Sequence, residues 1–397
     1  MLLSEDTLGD YLCTRTDLFD PSQPIAVKRL ETGDDRYIDG YLNYLYSVKQ
    51  GERSFVVKHA REDIPIDLGL GPLDTRRNYI EYNSYRLREG ITPQWVPHAY
   101  LADADNHFFV TEDLAPMRTL RFELCKGKQF PLMGRQVGQF LAKNHYATSA
   151  FCLPGRDLDT LDGFFFNQQM HSIITDLILS PELGTTPADP YEAAIQQTIE
   201  TMFADEAIRS EWQGLIAAFL EKKQCLIHGD FHTSNAFISR SDLKVIDMEY
   251  TSFGPFGYDL GYFLANILSQ WAAFTIRGSN PSMCEYLLRM LTDVYQEYFA
   301  GLSGLIGRRC RPHMLTEVLQ DSLGYLALAG ISRIAHHGEF PDYDYLGDPE
   351  LSFLAKTLSL LVCKTLLTKR HTITHPAQVI RLLQLVRDGF VAEIHER

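Results

Sequence analysis

His228-Gly229-Asp230-Phe231-His232-Thr233-Ser234-Asn235, followed eleven residues after the asparagine by Ile246-Asp247-Met248-Glu249, is the stretch on which the reading of this 397-residue chain turns. Short β-like runs flank the two blocks: Cys225-Leu226-Ile227, Ala236-Phe237-Ile238 and Leu243-Lys244-Val245-Ile246. A hairpin of the last two sets polar residues at its strand ends opposite one another. An Asp to accept a hydroxyl proton, an Asn five residues later and a carboxylate closing the next strand form a set that phosphoryl transfer uses. Asp230 is the candidate base. Asn235 and Asp247 offer hard oxygen ligands suited to Mg2+, and Glu249, two residues on in extended backbone, can point to the same side and add another. Any one of these residues alone reads as a turn or a cap; their joint order and spacing carry the inference.

Upstream of this block the pattern is β-like. Ala26–Leu30, Tyr44–Val48 and Ser54–Lys58 read as an antiparallel meander punctuated by Gly33, Asp39-Gly40 and Gly51. Asp74 can cap a helix carrying Ile80, Ser84 and Leu87, with Pro93 beyond its end, and Ala99–Leu101 and Phe108–Thr111 read as two more strands. From Leu114 onward long amphipathic segments dominate, such as Val137, Phe140, Leu141 and His145 at helical spacing. The expected fold is α+β and bilobal: a small antiparallel-sheet N-lobe over residues 1–114 and a large, mainly helical C-lobe over 115–397.

Composition excludes several classes. Lys plus Arg number 37 against 51 Asp plus Glu, a net charge of −14, which opposes binding to a nucleic-acid backbone. Seven widely spaced cysteines without a CxxC pair signal neither a disulfide framework nor a zinc site. The opening Met1-Leu2-Leu3-Ser4-Glu5-Asp6 puts acid where a signal peptide needs basic residues, and the apolar Leu351–Leu367 run is broken by Lys356 and Lys364, so it reads as a packing helix. The expectation is a cytoplasmic protein without a membrane or nucleic-acid partner.

The catalytic block resembles that of the aminoglycoside-phosphotransferase and choline-kinase group, which shares the protein-kinase fold. Within it the chain is most similar to the methylthioribose kinases, through Asp247-Met248-Glu249 with Phe253-Gly254-Pro255-Phe256-Gly257-Tyr258-Asp259-Leu260-Gly261, Asp39-Gly40-Tyr41-Leu42-Asn43, Glu112-Asp113-Leu114 and Phe140-Leu141-Ala142-Lys143. The resemblance implies an ATP- and Mg2+-dependent kinase of a small sugar or alcohol. Gly40 and Asn43 would then line the phosphate loop, Lys58 would pair the α- and β-phosphates, Glu81 would hold Lys58, and backbone groups of Glu112 and Leu114 would meet adenine. It also implies structural support of the catalytic loop by Asp259, acceptor binding by Arg333 with Asp230, and a homodimer. His232 reads as a structural histidine. Ser332 stands where the methylthioribose kinases carry a second arginine, Tyr41 replaces an Asn, Asn235 replaces their usual Ser, and the loop before the N-lobe helix, Leu68–Leu73, lacks their tryptophan. The implied acceptor is therefore the 1-hydroxyl of methylthioribose or a hydroxyl of another metabolite: a 5-modified ribose, an amino alcohol or an aminoglycoside.

Overall fold

The structure, a computed structural model, describes residues 4–30, 42–63, 71–180, 187, 189–335 and 341–396. In chain order the elements are α1 (Glu5–Arg15), β1 (Ala26–Leu30), β2 (Tyr44–Gln50), β3 (Arg53–His59), α2 (Arg76–Ile91), β4 (Ala99–Asp103), β5 (Phe108–Glu112) and β6 (Arg118–Thr119). Then come α3 (Leu120–Cys125), α4 (Met133–Ala147), α5 (Gly155–Phe165), α6 (Gln168–Ile173), α7 (Pro190–Phe203) and α8 (Glu206–Glu221). The chain continues through β7 (Cys225–Ile227), β8 (Ala236–Ile238), β9 (Leu243–Val245), β10 (Ser252–Gly254), α9 (Tyr258–Arg277) and α10 (Pro281–Ile306). It ends with α11 (Pro312–Ala335), α12 (Pro341–Asp344), α13 (Pro349–Lys369) and α14 (Pro376–Glu396). They form two compact units. One comprises residues 1–119, 167–170 and 234–251; the other comprises 120–166, 171–233 and 252–397.

The first unit is built on an antiparallel sheet of order β1-β2-β3-β5-β4. Alternation explains its two faces. Tyr44, Tyr46 and Val48 of β2 and Phe55 and Val57 of β3 turn into a core shared with Leu8, Leu12, Phe108 and Val110. The same period sends Lys58 to the opposite face. Helix α2 shows an unusual buried side made of Arg77, Asn78, Ile80, Glu81, Ser84, Tyr85 and Arg88. Its N-cap position is Thr75, not the expected Asp74, and Asp74 just before it accepts the Arg76 N–H at 2.8 Å. The hairpin β8–β9 pairs through β8 with β6, so residues 234–251 belong to this unit, although the sequence boundary at residue 114 places them in the other. Helix α1 was not expected; its interior face rests on only Leu8, Gly9 and Leu12, too sparse for an apolar period.

His59, at the end of β3, is 4% exposed and its Nδ1 has no hydrogen-bond partner. Burial, reinforced by Arg61 and His107, lowers its pKa from 6.5 to about 4. The unfolded chain thus takes up a proton between these pH values that the folded chain refuses, and stability falls as pH drops from 6.5 to 4. Melting temperatures at pH 7 and pH 5 should therefore differ less in His59→Phe than in the parent chain; an unchanged difference would remove His59 as the cause.

The second unit is mainly helical. Helix α9 is buried along most of its length and stops at Gly278, whose φ of 68° lies in the left-handed region that glycine adopts readily. Gly261 lets α9 touch α11: a Cβ there would lie 2.2 Å from the Ser322 carbonyl oxygen. The segment Pro349–Thr372 has the length and hydropathy of a membrane span, yet Ala355, Leu358, Val362, Cys363 and Leu366 of α13 are buried within this unit. No disulfide joins any of the seven cysteines.

Candidate functional site

In the first unit, the outward-facing Lys58 meets helix α2 and the segment after β9. Its Nζ donates to Glu81 Oε1 at 2.9 Å, contacts Asp247 Oδ1 more closely still, and lies 3.9 Å from Glu249 Oε1. Asn43 Nδ2 donates to both Glu249 oxygens at 3.0 and 3.1 Å, and Arg77 Nε lies 3.3 Å from Oε2. Arg77 also donates to the carbonyls of Leu42 and Arg61, tying three chain segments to α2. The Asp247 N–H donates to the Tyr85 hydroxyl and the Met248 N–H to Glu81. Asp247 has φ of 66°, a left-handed backbone that a non-glycine residue adopts at a cost and that recurs at functional sites.

Burial disfavours the Lys58 ammonium, but Asp247, Glu81 and Glu249 together raise its pKa well above the ordinary value. Three carboxylates face two cations here, Lys58 and Arg77. The excess negative charge appears on the carboxyls: burial pushes Glu81 up to about 8 against the pull of Lys58, and burial raises Glu249 as well.

Asn235 is buried in the turn just before β8, and its carbonyl accepts the Ile246 N–H at 2.9 Å. The hairpin therefore sets Asn235 beside the residue preceding Asp247, as the spacing anticipates. These groups suit a hard cation on two observations. Asn43 Oδ1 is buried without a hydrogen-bond partner, and three carboxyl groups converge there on two cationic side chains. Among the described residues no three acidic, His or Cys side chains form a cage of their own. Mg2+ needs none, because it is held by one or two carboxylates plus phosphate oxygens. Asp247, with its side chain 20% exposed, is the more accessible carboxylate, whereas Glu249 is 2% exposed and held by Asn43 and Arg77.

At the expected adenine contact, the Glu112 N–H already donates to the His98 carbonyl, and the Glu112 side chain accepts from the His98 N–H and lies 3.5 Å from Lys244 Nζ. The Leu114 carbonyl accepts the Met117 N–H. Gly40, with Asp39 and Tyr41, lies outside the described residues.

In the second unit, Asp230 follows β7 on a loop whose first two N–H groups, those of His228 and Gly229, donate to Asp259 at 2.7 and 3.1 Å. Asp259 is in turn 3.2 Å from His145 Nε2, and the His145 and Asp259 side chains are both buried. The Tyr262 hydroxyl donates to Asp230 Oδ1 at 2.8 Å, and His232 Nε2 lies 3.4 Å from Oδ2. Arg333 of α11 donates to the Tyr262 hydroxyl at 3.0 Å. Burial opposes ionisation of Asp230, but His232, Arg333 and the Tyr262 hydroxyl outweigh it and hold the carboxyl at about 2.

Sequence reasoning passed over two of these residues, Arg77 and Tyr262. Arg77 had no motif to mark it. Tyr262 stands one position beyond the Phe253–Gly261 segment and reads as a core aromatic. His232, which the sequence reads as a structural histidine, lies beside Asp230.

Residues 36–280 match the phosphotransferase enzyme family, and the chain belongs to that family. It is an ATP-dependent phosphotransferase acting on a hydroxyl group. Among curated proteins it is similar to the methylthioribose kinase of Bacillus thuringiensis (strain Al Hakam), 29% identical over 336 residues, covering 83% of this chain and 85% of that one. The methylthioribose kinase of Bacillus cereus (strain G9842) matches at 29% over 338 residues, with the same shares covered. Among solved structures it is similar to a choline/ethanolamine kinase family protein from Mesorhizobium loti, with 15% identity, a TM-score of 0.47, and 96% and 99% of the two chains covered. A spectinomycin phosphotransferase in complex with ADP and spectinomycin matches with 12% identity, a TM-score of 0.45, and 90% and 99% covered.

Proposed function

We propose that this chain transfers the γ-phosphoryl group of ATP to the 1-hydroxyl of methylthioribose, a step of methionine salvage. Asp230 orients the acceptor hydroxyl and takes its proton as the new O–P bond forms and the bond from phosphorus to the ADP oxygen breaks. A carboxyl held at about 2 is a weak base. A loose transition state asks little base strength, because the hydroxyl loses its proton late. Lys58 pairs the α- and β-phosphates, and Asn43 helps shape the phosphate loop with Gly40. Mg2+, held by Asp247 and Asn235 with Glu249 behind them, would neutralise phosphate charge. Glu112 and Leu114 offer backbone groups to adenine.

The observation that carries the choice of acceptor is the charge around Asp230. The Arg333 guanidinium acts on it through the Tyr262 hydroxyl, and the His232 ring lies beside it. A guanidinium beside the base favours a neutral acceptor that becomes anionic on phosphorylation, and it repels the ammonium of an amino alcohol or aminoglycoside. The curated relatives named methylthioribose kinase, which cover most of the chain, point the same way. Cytoplasmic location and pairing as a homodimer accompany this reading through the same resemblance.

The test is ADP release with ATP and Mg2+ on methylthioribose, other 5-modified riboses, choline and an aminoglycoside in parallel. Turnover confined to 5-modified riboses, highest on methylthioribose, is the expected result. Preferred turnover of choline or the aminoglycoside would overturn the acceptor and leave the phosphotransferase in place.

A further inference from the structure

We propose that Tyr262 is a positioning residue for the transfer step: its hydroxyl, itself oriented by Arg333, fixes the rotation of the Asp230 carboxylate toward the acceptor. The inference rests on the reading of Asp230 as the group that receives the hydroxyl proton. Hydrogen-bond directions are forced. A guanidinium only donates, so the Tyr262 oxygen accepts from Arg333 at 3.0 Å and spends its single proton on Asp230 Oδ1 at 2.8 Å.

The Tyr262 ring is buried, stacked at 7° on Tyr258, whose own hydroxyl donates to the Gly229 carbonyl. Tyr258 and Tyr262, one turn apart on α9, thus join Asp259 in gripping the catalytic loop, Tyr258 by its backbone and Tyr262 by its functional carboxylate. The close approach of α9 and α11 at Gly261 supports the arrangement, since Arg333 comes from α11. Burial raises the Tyr262 pKa even against Arg333, so the phenol keeps its proton and the acceptor's proton goes to Asp230.

A ring that merely fills space needs no hydroxyl, and Tyr262→Phe separates the two roles. The experiment compares the parent chain, Tyr262→Phe, Asp230→Asn and the double variant by ADP release. The acceptors are methylthioribose and water, the second read as slow ATP hydrolysis without added acceptor. Tyr262→Phe should lower kcat by about tenfold to a hundredfold, the value of a hydrogen bond to a charged group, with KM for ATP unchanged. In the Asp230→Asn background the same substitution should change kcat by less than about twofold, because the group it positions is already gone. Thermal melting close to that of the parent chain would show that the ring packing is intact. Parental kcat in Tyr262→Phe, or an equal loss in both backgrounds, would overturn the proposal. Parental turnover in Asp230→Asn would instead overturn the reading of Asp230 itself, and this proposal with it.

Discussion

Asp230→Asn should reduce turnover by about 10²–10⁴-fold while leaving nucleotide binding near that of the parent chain. The amide keeps the volume and can still accept from Tyr262, so the loss reports on the missing proton acceptor and charge rather than on a collapsed loop. Asp259 anchors that loop independently, through the N–H groups of His228 and Gly229. The substitution should also lower stability at neutral pH. The folded pKa of Asp230 is lowered from 3.8 to about 2, so its contribution is complete above the unfolded value and is lost as pH falls through the folded one. The size is about 2 kcal/mol, from a shift of nearly two pH units at 1.36 kcal/mol each. Assays of ADP release, nucleotide titration and thermal melting at pH 7 read the three effects separately. Turnover equal to that of the parent chain would remove Asp230 from the mechanism.

The second large effect belongs to Lys58. Lys58→Met leaves Glu81, Asp247 and Glu249 with Arg77 as their nearby cation, and breaking a buried ion pair on one side costs about 3–5 kcal/mol. If Lys58 pairs the phosphates as proposed, activity should fall by at least about 10²-fold, because a preorganised cation is lost. A companion substitution distinguishes the two consequences. Lys58→Met with Asp247→Asn removes one of the stranded negative charges, so part of the lost melting temperature should return while activity stays absent. A single Lys58→Met variant melting like the parent chain would show that the cluster does not depend on this cation.

Much of this arrangement was legible in the sequence, for identifiable reasons. The strands of the first unit announce themselves by alternation, and alternation also separates Lys58 from the core-facing Val57. Asn235 and Asp247 are brought to one end of a hairpin by local pairing, which spacing can encode. Long-range partners leave no such trace. Arg77 and Glu249 are separated by most of the first unit's chain, and Tyr262 meets Asp230 only after α9 has packed behind the loop. A buried tyrosine with a carboxylate partner, such as Tyr262, and one with a backbone partner, such as Tyr258, look identical in sequence. The polar inner face of α2 was legible only in part: Ile80 and Ser84 do share the buried face and Glu81 does hold Lys58, but Leu87 is not fully buried, and Arg77, Asn78 and Arg88 make no apolar period that would mark them.

That face has a consequence for how the molecule comes apart. A helix seated on hydrocarbon is tightened by salts that strengthen apolar association, but α2 is seated largely on ionic and hydrogen-bonding partners. Guanidinium chloride, which both denatures and screens charge, should loosen it earlier than urea does at equal denaturing strength. The first unit is thus tuned by ionic conditions, while the buried α9 of the second unit answers mainly to the cohesion of water.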